Sequence, residues 1–152
     1  MNIFILDRDP VLAAQYQCDK HVVKMVLETA QILSTINGGP YKPTHKNHPC
    51  VLWAEKNPLN YQWLSRHAVA LANEYTLRYG KRHKCQDIIE DLAVSYAYGN
   101  YPPASFVQCM PEQYRQEDPV EAYRAYYRSE KARFATWTKR EQPFWWSQNA
   151  NT

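Results

Sequence analysis

The run Asp19-Lys20-His21-Val22-Val23-Lys24-Met25-Val26-Leu27-Glu28-Thr29-Ala30-Gln31 decides how this chain is read. At 3.6 residues per turn it has two faces. Val22, Val23, Val26, Ala30 and Leu33 fall on or near one side. His21, Lys24, Glu28 and Gln31 are spaced 3, 4 and 3 apart and line up on another, and Cys18 extends that row by one turn. A solvated face usually repeats Glu/Lys pairs. Here an imidazole, an ammonium, a carboxylate and an amide each offer a different chemistry. The row is the candidate site. Its plain alternative is an i,i+4 Lys24–Glu28 surface pair, worth only about a few tenths of a kcal/mol.

The helix that carries the row has a clear start upstream. Asp9-Pro10 places a capping acceptor before a proline at the first helical position, and the spacing predicts a helix from there to about Thr35, stopped by Asn37-Gly38-Gly39-Pro40. Residues 38–49 contain three prolines and two glycines and cannot be regular structure. A short helix is expected at Cys50–Lys56. Asn57-Pro58 repeats the cap signal and opens a second long helix to Tyr79, stopped by Gly80. A third helix is expected at about Gln86–Tyr98, carried by Ile88, Ile89, Leu92, Ala93 and Tyr96. Residues 100–117 are irregular, with Pro102, Pro103 and Pro111, and loops of that length are usually functional or tightly packed. Asp118-Pro119 starts a last helix to about Thr136, with Val120, Tyr123, Tyr127 and Phe134 as core. Residues 3–6, Ile-Phe-Ile-Leu, suit a very short strand or an extended arm buried on the core. The expected architecture is therefore all-α: a compact single-domain bundle of about four helices with long irregular connections, spanning residues 1–152.

The bulk composition is consistent with this. Hydrophobic residues make up 45% and charged residues 22%, as in ordinary globular proteins. The net charge of +3 permits a nucleic-acid partner without arguing for one. The 12 tyrosines and 5 tryptophans suit interiors and base-stacking surfaces alike. No apolar run approaches a membrane span, and the N-terminus turns acidic too soon for a signal peptide, so a cytoplasmic protein with reduced cysteines is expected. The four glycines form no phosphate-binding loop, which argues against P-loop and Rossmann enzymes.

The order Asp19-Lys20-His21, Lys24, Glu28, Gln31-Ile32-Leu33 is similar to the signature helix of the pyrimidine-dimer DNA glycosylase/endonuclease V-like family. His48-Pro49 before Trp53 resembles that family's His-Pro…Trp element. Tyr61…Leu64 followed by Glu74…Arg78-Tyr79-Gly80 resembles its second long helix and the basic turn after it. The resemblance implies a compact all-α glycosylase that attacks sugar C1′ with its N-terminal α-amine, forms a Schiff base and proceeds by β-elimination. Glu28 would stabilise the cationic sugar and handle protons, and His21 would sit beside the DNA. α-Amines suit this role because a fraction is neutral near pH 7. Two departures stand out. Asn2 is a poor context for Met removal, so the nucleophile becomes the Met1 amine. Leu27 and Gln31 stand where the phage enzyme of the family has arginines.

Phosphate contact must then come from elsewhere. Lys20, Lys24, Gln31 and His48 are candidates from the resemblance, and Arg78, Lys81, Arg82 and Lys84 from a basic corner that few acids offset. A similar series, Arg124 to Arg140, is balanced by Glu121, Glu130 and Glu141, and a solvated face is favoured there. Phe144, Trp145 and Trp146 are expected to dock on the core. Cys18, His21, His48 and Cys50 are an alternative tetrahedral metal set, but the loop spacings match no zinc pattern, and no cofactor or metal is expected. The leading expectation is a DNA lesion glycosylase/AP lyase working as a monomer on duplex DNA. The alternatives are another nucleic-acid or nucleotide base-modifying enzyme on the same scaffold, or a DNA-binding or interaction protein without catalysis.

Overall fold

The computed structural model describes residues 1–94 and 97–146. Six α-helices occur among them: α1 (Pro10–Gln15), α2 (Asp19–Asn37), α3 (Pro49–Lys56), α4 (Pro58–Tyr79), α5 (Gln86–Leu92) and α6 (Pro119–Glu130). One 3-10 turn lies at Glu112–Tyr114, and no strand occurs among the described residues. The all-α expectation is met, with more and shorter helices than the sequence pattern suggested. No helix among the described residues is long and apolar enough to cross a membrane.

The three capping signals act as read. Asp9, Asn57 and Asp118 each accept a backbone N–H of the first turn with the side chain, and each is followed by proline. Gly38 and Gly80 close α2 and α4 in the left-handed conformation, which a residue without Cβ adopts at little cost. Helix α4 packs against α1, α2, α3 and α5 and is the central element of the fold.

The expected single helix from Asp9 to Thr35 is in fact two, broken at residues 16–18. The break exposes carbonyls that the helix would otherwise have used, and distant side chains take them up. Arg78 on α4 donates to Gln15 O (2.9 Å) and Gln17 O (2.8 Å). Trp137 Nε1 donates to Tyr16 O at 2.9 Å. Periodicity along the chain cannot reveal partners that lie 60 residues or more away.

Arg78 is also the centre of an ion network. Its side chain is fully buried and meets Glu74 and Asp19, each at 3.1 Å. Arg140 holds the other side of Glu74 through two bonds, of 2.7 and 3.0 Å. Asp19 accepts from Thr136 Oγ1, Thr138 Oγ1 and Thr138 N. The network thereby ties the C-terminal segment to the start of α2 and the end of α4.

Other expectations are refined. Helix α5 ends at Leu92, and Tyr96, expected in its stripe, lies outside the described residues. Helix α6 ends at Glu130. In the aromatic tail Trp145 docks at 1% exposure, whereas Phe144 remains 64% exposed. Residues 3–6 form an arm, not a strand: all four are buried, the Leu6 N–H donates to Phe4 O at 2.9 Å, and side chains supply further hydrogen bonds. Gln17 Nε2 donates to Ile3 O, Arg124 Nε to Leu6 O, and Asn2 Oδ1 accepts from the N–H groups of Ile3 and Phe4.

Replacing Arg78 by alanine leaves two carboxylates and two carbonyls without their partner. A loss of about 3–5 kcal/mol is expected, read by urea unfolding, since removing one side of a buried pair strands the other. Burial raises the Asp19 pKa, but hydrogen bonds from Thr138, Thr136 and Arg78 outweigh it and hold the carboxyl below its ordinary range. Its stabilising contribution is therefore present above about pH 4 and lost as pH falls further. Asp19→Asn is expected to flatten that part of the acid-unfolding profile.

Candidate active site at the N-terminal amine

The arm fixes where the chain begins. Asn2 Nδ2 donates to Cys109 O at 2.7 Å, Phe4 takes a left-handed φ of 55°, and the Met1 side chain packs against the core with 2% exposure. Met1 as a whole residue is only half-buried, so its exposed area belongs to the main chain that bears the amine. The α-amine nitrogen lies 3.5 Å from Glu28 Oε1. Lys24 Nζ lies 3.5 Å from Glu28 Oε2, and its side chain is 67% exposed. One largely buried carboxylate thus stands between two cations, one fixed by the arm and one facing solvent.

The helical row singled out in the sequence is unequally buried. Lys24 is exposed, Gln31 is half-buried, and Cys18, His21 and Glu28 are buried. His21 is not placed as a free side chain beside a ligand. Its ring stacks on Phe4 (centroids 4.3 Å apart) and its Nδ1 lies 2.7 Å from the Tyr127 hydroxyl. Burial, reinforced by Lys131, Lys24 and Lys20, lowers its pKa to about 3. His21 is thus a neutral core histidine that seats the arm. Val23, assigned to the apolar face, is 42% exposed instead.

The basic corner also needs correcting. Arg78 is wholly committed to the buried network and cannot contact phosphate. Arg82 is paired with Asp87 and Glu90, acids that fold back from α5 to offset it. Lys81 and Lys84 remain exposed. The cations nearer the candidate site are others. Lys20 Nζ sits 4.9 Å over the Phe134 ring, Arg133 lies against the same ring, and Lys131 Nζ is 4.8 Å over Tyr126. Lys131 and Arg133 were passed over in the sequence because neighbouring acids appeared to balance them.

His48 caps α3 by accepting the Cys50 N–H at 3.0 Å. Burial and the charges of the N-terminal amine and His45 lower its pKa, and Glu28 works against them. The candidate ring therefore stands within electrostatic reach of both the amine and Glu28. Cys50 Sγ lies 3.2 Å from Cys109 Sγ. Their mutual hydrogen bond pushes Cys50 up and Cys109 down. Nothing in the sequence linked Cys109 to this place. A cleft of about 530 Å³ lined by Val11, Ser65, Val69, Glu74, Leu77 and Arg140 shares no residue with the amine site.

The family model for pyrimidine dimer DNA glycosylase matches residues 1–87. The chain belongs to the pyrimidine dimer DNA glycosylase family. No curated protein and no solved structure matches it. The part matching the glycosylase family model contains Met1, Lys24, Glu28 and His48, whereas Cys109, α6 and the aromatic tail lie beyond it. A glycosylase of this family has DNA as its substrate.

Because His21 is held neutral, its folded pKa is depressed. Its contribution to stability is full above about pH 6.5 and is lost as pH falls towards about 3. Between those values the unfolded chain binds the extra proton. His21→Gln is expected to reduce the slope of stability against pH between pH 6 and 4, read by urea midpoints. Ring resonances of His21 in the unsubstituted protein are expected not to titrate between pH 5 and 8.

Proposed function

We propose that this protein is a DNA lesion glycosylase with AP lyase activity, acting at sugar C1′ through the Met1 α-amine with Glu28 as partner. The 3.5 Å contact between that amine and Glu28 carries the reading. Glu28 accepts a proton from the ammonium and leaves a neutral nucleophile. The amine nitrogen bonds to C1′ while the glycosidic bond breaks, its electron pair leaving with the base, which takes up a proton. Loss of a second proton from nitrogen and opening of the C1′–O4′ bond give the iminium, with O4′ protonated. A proton then leaves C2′ and the C3′–O bond to phosphate breaks. Once Glu28 has passed its proton to the departing base, the fixed carboxylate stabilises the cation at C1′, and such preorganised electrostatics outperform water.

Duplex DNA is the proposed substrate form. Lys20, Lys131 and Arg133 supply cations around Phe134 and Tyr126, exposed Lys24 stands beside Glu28, and Lys81 and Lys84 are exposed cations as well. Phosphate tracking beside aromatic rings fits a backbone distorted around a lesion.

Borohydride reduction during incubation with duplex containing an abasic site is expected to trap a covalent adduct, and irradiated duplex to give the same adduct if the dimer is recognised. Chemical acetylation of the N-terminus is expected to abolish trapping on both. Glu28→Gln is expected to cut the rate by about 10²–10³-fold while DNA binding persists. Absence of any adduct, with binding intact, would instead identify a DNA-binding protein without this chemistry. Lys24→Ala is expected to lower the slope of log affinity against log salt by about 1.

A further inference from the structure

His48, Cys50 and Cys109 bring three potential ligand atoms together, all within 4.8 Å of one another. We propose that these three residues form a binding site for a thiophilic divalent metal ion of the zinc class. The set differs from the one the sequence suggested. Cys18 lies instead beneath the Tyr127 hydroxyl, with Tyr127 Oη 3.4 Å from its Sγ, and His21 is bonded to that same hydroxyl.

The geometry suits a tetrahedral ion. Two thiolates bound to one zinc at ~2.3 Å lie ~3.8 Å apart, and a thiolate and an imidazole nitrogen slightly less. The sulfurs of Cys50 and Cys109 now stand 3.2 Å apart, so about half an ångström of opening between them and an approach of the His48 ring, which completes a set spread over 4.8 Å, admit the ion. The separation is well beyond the ~2.05 Å of a disulfide. Softness also matches: two sulfurs and one imidazole select zinc over the oxygen-seeking cations.

The Tyr123 hydroxyl stands as a hydrogen-bond donor to the Cys109 sulfur. Such outer donors orient metal-ligating sulfurs. Tyr123 in turn accepts the Cys109 N–H at 3.1 Å, which fixes the residue's backbone. Two thiolates without a cation would place two negative charges in a largely buried spot, and a divalent ion neutralises them. Binding releases the thiol protons to solvent. His48 Nδ1 now accepts the Cys50 N–H, so ligation through Nε2 moves the ring proton to Nδ1 and gives up that capping bond. Three protein donors leave a fourth position for water or another small ligand. The site stands independently of the amine chemistry, because it draws on neither Met1 nor Glu28.

The test uses the full chain, purified reduced and without chelator, and titrated with zinc and with cobalt(II). About one zinc per chain is expected, and the cobalt form is expected to show the thiolate charge-transfer band and the strong visible bands of a tetrahedral ion. Cys109→Ser is expected to remove the charge-transfer intensity of one thiolate. It should also weaken binding by more than the roughly 10- to 100-fold that loss of an outer partner costs. His48→Ala is expected to weaken binding while the thiolate band persists. Cys85→Ser, at a buried cysteine bonded to Tyr41 instead, is expected to change neither. A cobalt spectrum without a thiolate band would overturn the proposal. So would unchanged affinity in Cys109→Ser, or a metal-free chain lighter by two hydrogens, which would show a Cys50–Cys109 disulfide formed by dissolved oxygen or a small disulfide.

Discussion

The fold depends on one guanidinium. Arg78 takes the carbonyls freed where α1 gives way to α2 and neutralises Asp19 and Glu74 in the same buried space. A buried charge is tolerable only when its hydrogen-bonding capacity is filled, and here it is filled from α2, α4 and the connection before α2. The break has consequences for the site. It sends Gln17 to the Ile3 carbonyl, one of the bonds that seat the arm.

The arm itself is an uncommon solution. Four consecutive apolar residues are buried without a neighbouring strand, so their polar main chain must find partners one by one. Asn2, Gln17 and Arg124 provide them, and Phe4 accepts a left-handed backbone in doing so. A residue with a side chain adopts that conformation only where its surroundings insist on it. The stacked His21 ring, with Tyr127 edge-on to Phe4, is what insists. Neutral His21 and the buried Met1 side chain therefore do positional work, and the amine and Glu28 meet as a result.

Much of this was legible from local signals. Asp9-Pro10, Asn57-Pro58 and Asp118-Pro119 act within one helical turn, so a linear reading finds them. Glu28 was found through its spacing and through a resemblance. What escaped was set by distance along the chain. The α1–α2 break rests on Arg78 and Trp137. Arg78 itself, next to a basic cluster, read as a surface cation, yet acids on α2 and α4 draw it inward. Arg82 read as unbalanced because Asp87 and Glu90 come around only after α5 folds back. His21 and Glu28 read as members of a ligand-facing row, but a wide buried arc of α2 takes in both and leaves Lys24 exposed. Cys109 sits in an irregular stretch whose course no periodicity describes.

The network at Asp19 also bears on what a stretch of shared sequence means. The family pattern spans residues 1–87, yet Asp19 within it is held by Thr136 and Thr138, Tyr16 by Trp137, and Glu74 by Arg140. Shared pattern and physical integrity have different borders here. Residues beyond the pattern close hydrogen bonds opened inside it, so the two portions hold each other in place. A change at Thr138 is felt at the start of the very helix that carries Glu28.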